Sequence, residues 1–261
     1  MHATATHTIL VTSADTARAA RPVLCDVGTQ ARSCASCHLR TLCMPVEVQG
    51  AQAQQLFSNL VKTRIRLHKG DQLFCAGDRF TALHAIRVGS CKTVTSTDDG
   101  CEQVVGYHLP GDIIGIEGLG SDVQTTRAIA LEDTEVCVLP FDRVQQLAHE
   151  DRTFQRQLYR LLTAAIHRER NAATMLGTMR ADRRLATFLL DLSNRYQRRG
   201  YSSSEFVLRM TREEIGSHLG LKLETVSRLF SRFDDEGLIE VQGRVIKLRD
   251  RDGLQRLVLA S

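Results

Sequence analysis

Three thiols stand within ten residues in Cys34-Ala-Ser-Cys37-His-Leu-Arg-Thr-Leu-Cys43, which is closed by Met44-Pro45. Thiolates are soft ligands, and so dense a cluster points to a metal centre. Near the other end of the chain, Glu224-Thr-Val-Ser227-Arg228 puts a carboxylate, a hydroxyl and a guanidinium at i, i+3 and i+4. On a helix these share one face. Aimed into a major groove, Arg228 can be bidentate to a guanine, Glu224 can accept from a cytosine or adenine amino group, and Ser227 can touch a thymine edge.

The surroundings of these residues set limits on the chemistry. The chain has 261 residues, 43% hydrophobic and 25% charged, as in a folded protein of two modules. It has no apolar run long enough for a membrane helix. Thr8-Ile-Leu-Val11 is too short for a signal-peptide core. A cytoplasmic location is therefore expected, with the eight cysteines reduced and not paired as a disulfide framework. Residues 180–261 hold 16 Lys and Arg against 12 Asp and Glu, an excess as large as the +4 of the whole chain. The basic third is where nucleic acid would be met.

Residues 1–24 read as a tail, and residues 1–45 as tail plus ligand loop. An amphipathic segment follows from Val46 to Leu60. Glycine-punctuated runs up to about Asp142, with a hairpin turn at Asp99-Gly100, suggest a small antiparallel roll within residues 46–150. Residues 151–180 carry Leu158, Leu162, Ala165, Glu169, Ala172, Leu176 and Met179 at alternating spacings of four and three. That is a seam for pairing two long helices, with Ile166 beside it. Glu169 on the seam makes the pairing marginal, because two such carboxylates would repel.

Residues 181–261 begin with a helix over Arg184–Tyr196. Thr211-Arg-Glu-Glu214 is a capping box, Gly220 is the turn, and Val226, Leu229 and Phe230 form the apolar face of a second helix. Val241–Leu248 alternates about Gly243, as a β wing would. Lys222, Arg212, Arg232 and Arg244 are candidates for phosphate contact.

The order of roll, long helix and winged helix-turn-helix resembles the cyclic-AMP receptor and FNR superfamily of bacterial transcription regulators over nearly the whole chain. The cysteine loop together with Glu224-x2-Ser227-Arg228 is similar to the FNR branch. The resemblance implies an α+β fold: an N-terminal double-stranded, cyclic-nucleotide-binding-like β-roll, a dimerisation helix and a C-terminal winged helix-turn-helix. It also implies a 4Fe-4S cluster, for which the N-terminal loop supplies three of four thiolates. Cys25 is the nearest spare thiol, but Val136-Cys137-Val-Leu-Pro140-Phe141 is similar to the context of the family's fourth ligand. The implied set is thus Cys34, Cys37, Cys43 and Cys137, with Cys75, Cys91 and Cys101 left as packing or surface thiols. Zinc is the rival metal, although structural zinc sites generally use two short-spaced pairs. His38 stands where the best-known relatives have a small Ser.

Further implications are a homodimer on a palindrome of TTGAT-like half-sites, recruitment of RNA polymerase, and control by oxygen. Cyclic-AMP receptors hold their ligand with a Gly-Glu pair and an Arg-Ser pair. Here Gly115 precedes Ile116, and the later pair falls near Gln124-Thr125. No cyclic nucleotide is expected, although Glu117 and Arg127 keep a shifted pocket open. Ligation at Cys137 is expected to fix the roll against the long helix and tip the Glu169 seam toward pairing.

Overall fold

The computed structural model describes residues 37–44, 49–96 and 100–259. Helix α1 (Arg40–Cys43) closes the cysteine loop, and α2 (Ala51–Ser58) is the observed extent of the amphipathic segment. Eight strands then build the roll: β1 (Thr63–Leu67), β2 (Gln72–Phe74), β3 (Ala82–Val88), β4 (Cys91–Ser96), β5 (Glu102–His108), β6 (Ile113–Ile114), β7 (Arg127–Ala130) and β8 (Thr134–Pro140). They form two four-stranded antiparallel sheets, ordered β1-β8-β3-β6 and β2-β7-β4-β5.

Strand periodicity decides which side chains meet. Ile65, Leu67, Phe74, Ile86, Ala128 and Val136 fill the space between the sheets. Because successive residues of a strand face opposite ways, Val136 points inward and Cys137 outward. Outside that sheet, Cys137 packs with Cys43, Met44, Phe57, Leu83, Leu139, Leu147 and Phe154 in a second apolar cluster. Helix α3 (Phe141–Glu150) contributes to this cluster. The sequence reading placed this stretch in the roll without recognising a helix.

Helix α4 (Arg152–Thr178) has 27 residues and is about 40 Å long. Asp151 caps it, accepting from Phe154 N at 2.7 Å, and its other oxygen accepts from Gln49 N at 2.9 Å. Only Phe154 and Gln157 of this helix are fully buried. Its middle is bare, with Ile166 68% exposed. Helix α5 (Ala181–Arg198) then leads to β9 (Glu205–Val207), α6 (Arg212–Leu219), α7 (Leu223–Asp235), β10 (Ile239–Gln242), β11 (Val245–Leu248) and α8 (Arg251–Leu259). The wing is a three-stranded sheet in the order β10-β11-β9. Neither β9 nor α8 was expected from the sequence.

A third apolar cluster spans the roll and the C-terminal part. It joins Val94, Val104, Tyr107, Leu109 and Leu131 of the roll to Leu185, Leu189, Ile215, Leu219, Phe230 and Ile246 of the C-terminal part.

Candidate metal loop and nucleic-acid interface

The cysteine loop is held by local turns. Arg40 N donates to Cys37 O at 3.0 Å, and Cys43 Sγ donates to Leu39 O at 3.1 Å. Leu39 and Met44 are buried, and the Arg40 guanidinium lies 5.6 Å from the Phe57 ring centre. His38 is exposed. Across from the loop, Cys137 pairs in register with Arg64 on β1 and Ala85 on β3. Burial pushes its thiol up; the Arg64 guanidinium pulls the other way and the nearby Cys37 thiol adds to the rise, leaving a net upward shift. Cys43 shares an apolar cluster with Cys137. Cys34 and Cys25 lie outside the described residues. Among the described residues no three His, Cys, Asp or Glu side chains are grouped closely enough to hold a metal ion. Cys75 donates to Gln72 Oε1, and Cys91 is buried in the roll with its thiol pushed up to about 12 by desolvation. Cys101 is exposed.

Around Gly115 and Gln124-Thr125 some polar groups are partnered, while Gln124 Oε1 and Arg127 Nε are buried without a hydrogen-bond partner among the described residues. Thr126 Oγ1 donates to Glu117, and Arg127 is paired with Glu102.

The reading helix is built as its sequence dictates. Both halves of the capping box form: Glu214 N donates to Thr211 Oγ1 at 3.1 Å, and Thr211 N to Glu214 Oε2 at 2.6 Å. Gly220 is left-handed at φ +62° and ends α6. At Gly216 a Cβ would lie 2.6 Å from Leu221 O, so only glycine lets the turn close this tightly on α6. Val226, Leu229, Phe230 and Phe233 bury one face of α7. Glu224, Ser227 and Arg228 stand exposed on the other, with Lys222 exposed just before the helix.

The remaining basic candidates have protein partners in this conformation. The Arg212 guanidinium sits 3.2 Å from the Phe230 ring centre, and burial lowers its pKa to about 10. Arg232 pairs with Asp182 at 3.2 Å and Glu236 at 3.6 Å. Arg244 donates to Arg209 O at 3.4 Å and lines a cleft of about 130 Å³ with Lys69, Lys92 and Glu214.

On α4, Leu158 packs into the second cluster, Leu162, Ala165 and Ala172 are half-buried, and Glu169 is exposed. The far end of the expected seam is otherwise engaged. Arg184 donates to the carbonyls of Leu176 (2.7 Å), Met179 (2.9 Å) and Leu219 (3.0 Å). Leu176 also abuts Gly220, and Met179 lies one residue beyond the helix in extended backbone.

Sequence reasoning missed the polar contacts between roll and C-terminal part. Asp112 accepts from Arg195 and Arg199, each at 2.6 Å. Lys92 pairs with Glu214, Arg209 with Glu132 at 3.0 Å, and Val104 N donates to Ser217 Oγ at 2.8 Å. Their partners lie 77 to 122 positions apart, where no local pattern could reveal them.

A roll, a long half-bare helix and a helix-turn-helix presenting polar side chains define a transcription regulator that reads double-stranded DNA. The comparisons agree. The Crp-like helix-turn-helix domain family matches residues 183–257, and the cyclic nucleotide-binding domain family matches residues 64–151. The chain is 44% identical over 228 residues to the transcriptional regulatory protein btr of Bordetella pertussis, covering 87% of this chain and 94% of that one. It is 40% identical over 217 residues to the transcriptional activator protein anr of Pseudomonas aeruginosa, covering 83% and 88%. It is 38% identical over 224 residues to the fumarate and nitrate reduction regulatory protein of Escherichia coli, covering 86% and 89%. FixK2 from Bradyrhizobium japonicum superposes with a TM-score of 0.70 at 29% identity, over 76% of this chain and 98% of that one. The chain belongs to the FNR branch of the CRP/FNR family of transcription regulators. These relatives are regulators and not enzymes, and among the described residues no helix is long and apolar enough to cross a membrane.

Proposed function

We propose that this chain is a cytoplasmic, oxygen-responsive regulator, mainly an activator, that binds an FNR-like palindrome as a homodimer. Cys34, Cys37, Cys43 and Cys137 would hold a 4Fe-4S cluster. The observation that carries this reading is the placement of Cys137 on the outer face of β8, in the apolar cluster of Cys43. The chemistry of the donor set suits such a group: Cys43 and Cys137 are soft thiol ligands packed against one apolar cluster, beside buried Leu39 and Met44. When bound, such a cluster supplies an oxygen-labile crosslink between loop and strand.

The chain's own residues do the rest. Cys137 lies shortly before α3 and α4, so a loop fixed there stiffens the start of α4 through Phe57, Leu147 and Phe154. A stiffened α4 favours pairing along Leu162, Ala165 and Ala172, which the Glu169 carboxylates oppose. Lys222 then positions each copy on phosphate, while Glu224, Ser227 and Arg228 read base edges. On this reading residues 1–45, 46–150, 151–180 and 181–261 would each carry one of these roles. RNA polymerase is the partner through which an activator of this family would act.

The deciding experiment is iron and sulfide analysis, with an absorption spectrum, on protein purified without oxygen and then exposed to air. About four irons per chain and a brown band that bleaches with loss of dimer support the reading. Zinc in colourless protein, or a dimer indifferent to air, overturns oxygen control and leaves DNA recognition intact.

A further inference from the structure

The geometry points to the turn Leu109–Asp112 as a direct mechanical link, within one chain, between the cysteine loop and the DNA-binding part. On one side of the turn, Gly111 adopts φ +90°, and a Cβ built on it would fall 2.7 Å from Leu42 Cβ. Leu42, the residue before Cys43, therefore rests directly on the Gly111 backbone. On the other side, Asp112 grips the last turn of α5: Arg195 and Arg199 each donate to its carboxylate at 2.6 Å. Arg195 also donates to Tyr107 O and Arg199 to Pro110 O, both at 2.6 Å. The turn between these contacts is rigid. Asp112 Oδ2 accepts from Leu109 N, Asp112 N donates to Leu109 O, and Gly111 N donates to Ile86 O at 2.7 Å.

A rigid turn touched on two faces transmits position. With the loop in place, Leu42 presses on Gly111 and the carboxylate stays aligned with both guanidiniums. If the loop leaves, the turn can move, and two charge-assisted contacts must be made by a carboxylate no longer backed from behind. The docked state leaves Lys222, Glu224, Ser227 and Arg228 exposed at one fixed orientation to the roll. Two such heads on a dimer must match the half-site spacing of a palindrome, so a fixed orientation favours binding. This route runs beside the α4 seam and does not pass through it. It deepens the proposed function by adding a path from the loop to the DNA head, but needs only an ordered loop, whatever the loop holds.

The test is hydrogen exchange by mass spectrometry on the full chain purified without oxygen, with metal content and dimer fraction measured in parallel. Leu42→Ala should speed exchange in residues 195–199, on the far side of the turn, by about tenfold, with α7 and the roll interior unchanged. Asp112→Asn, and separately Arg195→Gln, should do the same, and adding Leu42→Ala to either should give little more. DNA affinity should fall in all of them at matched dimer fraction. If Leu42→Ala alters exchange only within residues 37–44, or adds its full effect on top of Asp112→Asn, the link is refuted. Chain lacking iron would overturn the proposed cluster without touching this result, because the exchange readout compares variants of the same sample.

Discussion

Lys92 Nζ lies 2.5 Å from Glu214 Oε1, joining strand β4 of the roll to the capping box of the first helix of the helix-turn-helix. Glu214 thus serves two structures at once, closing the N-terminus of α6 and fastening that helix to the roll. Burial would raise its carboxyl, but Lys92 and the Thr211 N-H outweigh it and hold it below its ordinary value.

Removing the two roles separately should give unequal costs. Lys92→Met loses only the ion pair and should cost about 1 kcal/mol or less. Glu214→Ala loses pair and cap together and should cost about 2 kcal/mol. Urea unfolding of the two single variants and the double variant checks this, with a clear coupling expected between the sites.

Basic residues of the DNA-binding part should separate into three kinds. Arg228→Ala should cost about 1 to 3 kcal/mol on the preferred site and relax discrimination at one base pair. Lys222→Ala should weaken all sequences alike and reduce the salt dependence by about one phosphate contact. Arg212→Ala should lower the melting temperature more than either, because its guanidinium is packed on Phe230. Anisotropy titrations at several salt concentrations, with melting curves, distinguish them.

Thiol substitutions should be equally selective. Cys37→Ser, Cys43→Ser or Cys137→Ser should each cut bound iron severely, whereas Cys75→Ser and Cys101→Ser should leave it near the parent value. Iron per chain in anaerobically purified variants is the measurement.

Along α4 the bare stripe predicts opposite outcomes for two neighbours. Ile166→Glu should weaken self-association at least about tenfold by placing a charge on the exposed stripe. Glu169→Ala should raise the dimer fraction and DNA binding in air. Sedimentation velocity on both variants decides whether the stripe is a dimer face.

Acid should loosen the roll before it titrates carboxylates. Burial lowers His84 and His108 from 6.5 to about 4, so both are neutral in the folded chain. His84 stacks near Phe74; His108 meets Thr93, with Asp112 favouring its charge and Arg195, Arg168 and His218 opposing it. As pH drops below 6.5, the unfolded chain takes up these protons first. Stability is therefore full above that value and is lost as pH descends toward 4, by at most about 1.4 kcal/mol per unit for each ring. Denaturation midpoints from pH 7.5 to 4.5 should fall accordingly, and less steeply in His84→Gln.

What the sequence disclosed was local. The capping box at Thr211, the turn at Gly220 and the apolar face of α7 are signals contained within a few residues, and all three form as expected. Helix α3 was hidden because Pro140-Phe141 read as part of a ligand motif. Helix α8 was not foreseen; it carries Gly253, where a Cβ would crowd the side chains of Asp250 and Leu238. The grip of Asp112 on Arg195, 83 positions away, is a product of tertiary packing alone. Of the four thiols implied by family resemblance, three lie among the described residues, and only packing shows that Cys43 and Cys137 share a cluster.

The shared third cluster has a practical corollary for anyone dissecting the protein. Cutting the chain at residue 180 would strip Val104, Tyr107, Leu109 and Leu131 of their cover and uncover Leu185 and Leu189 on the other piece. Each fragment would display a sticky apolar scar, so the halves should precipitate apart and recombine when co-expressed. The roll and the helix-turn-helix part are better regarded as one folding unit with two ends than as a cassette of interchangeable parts.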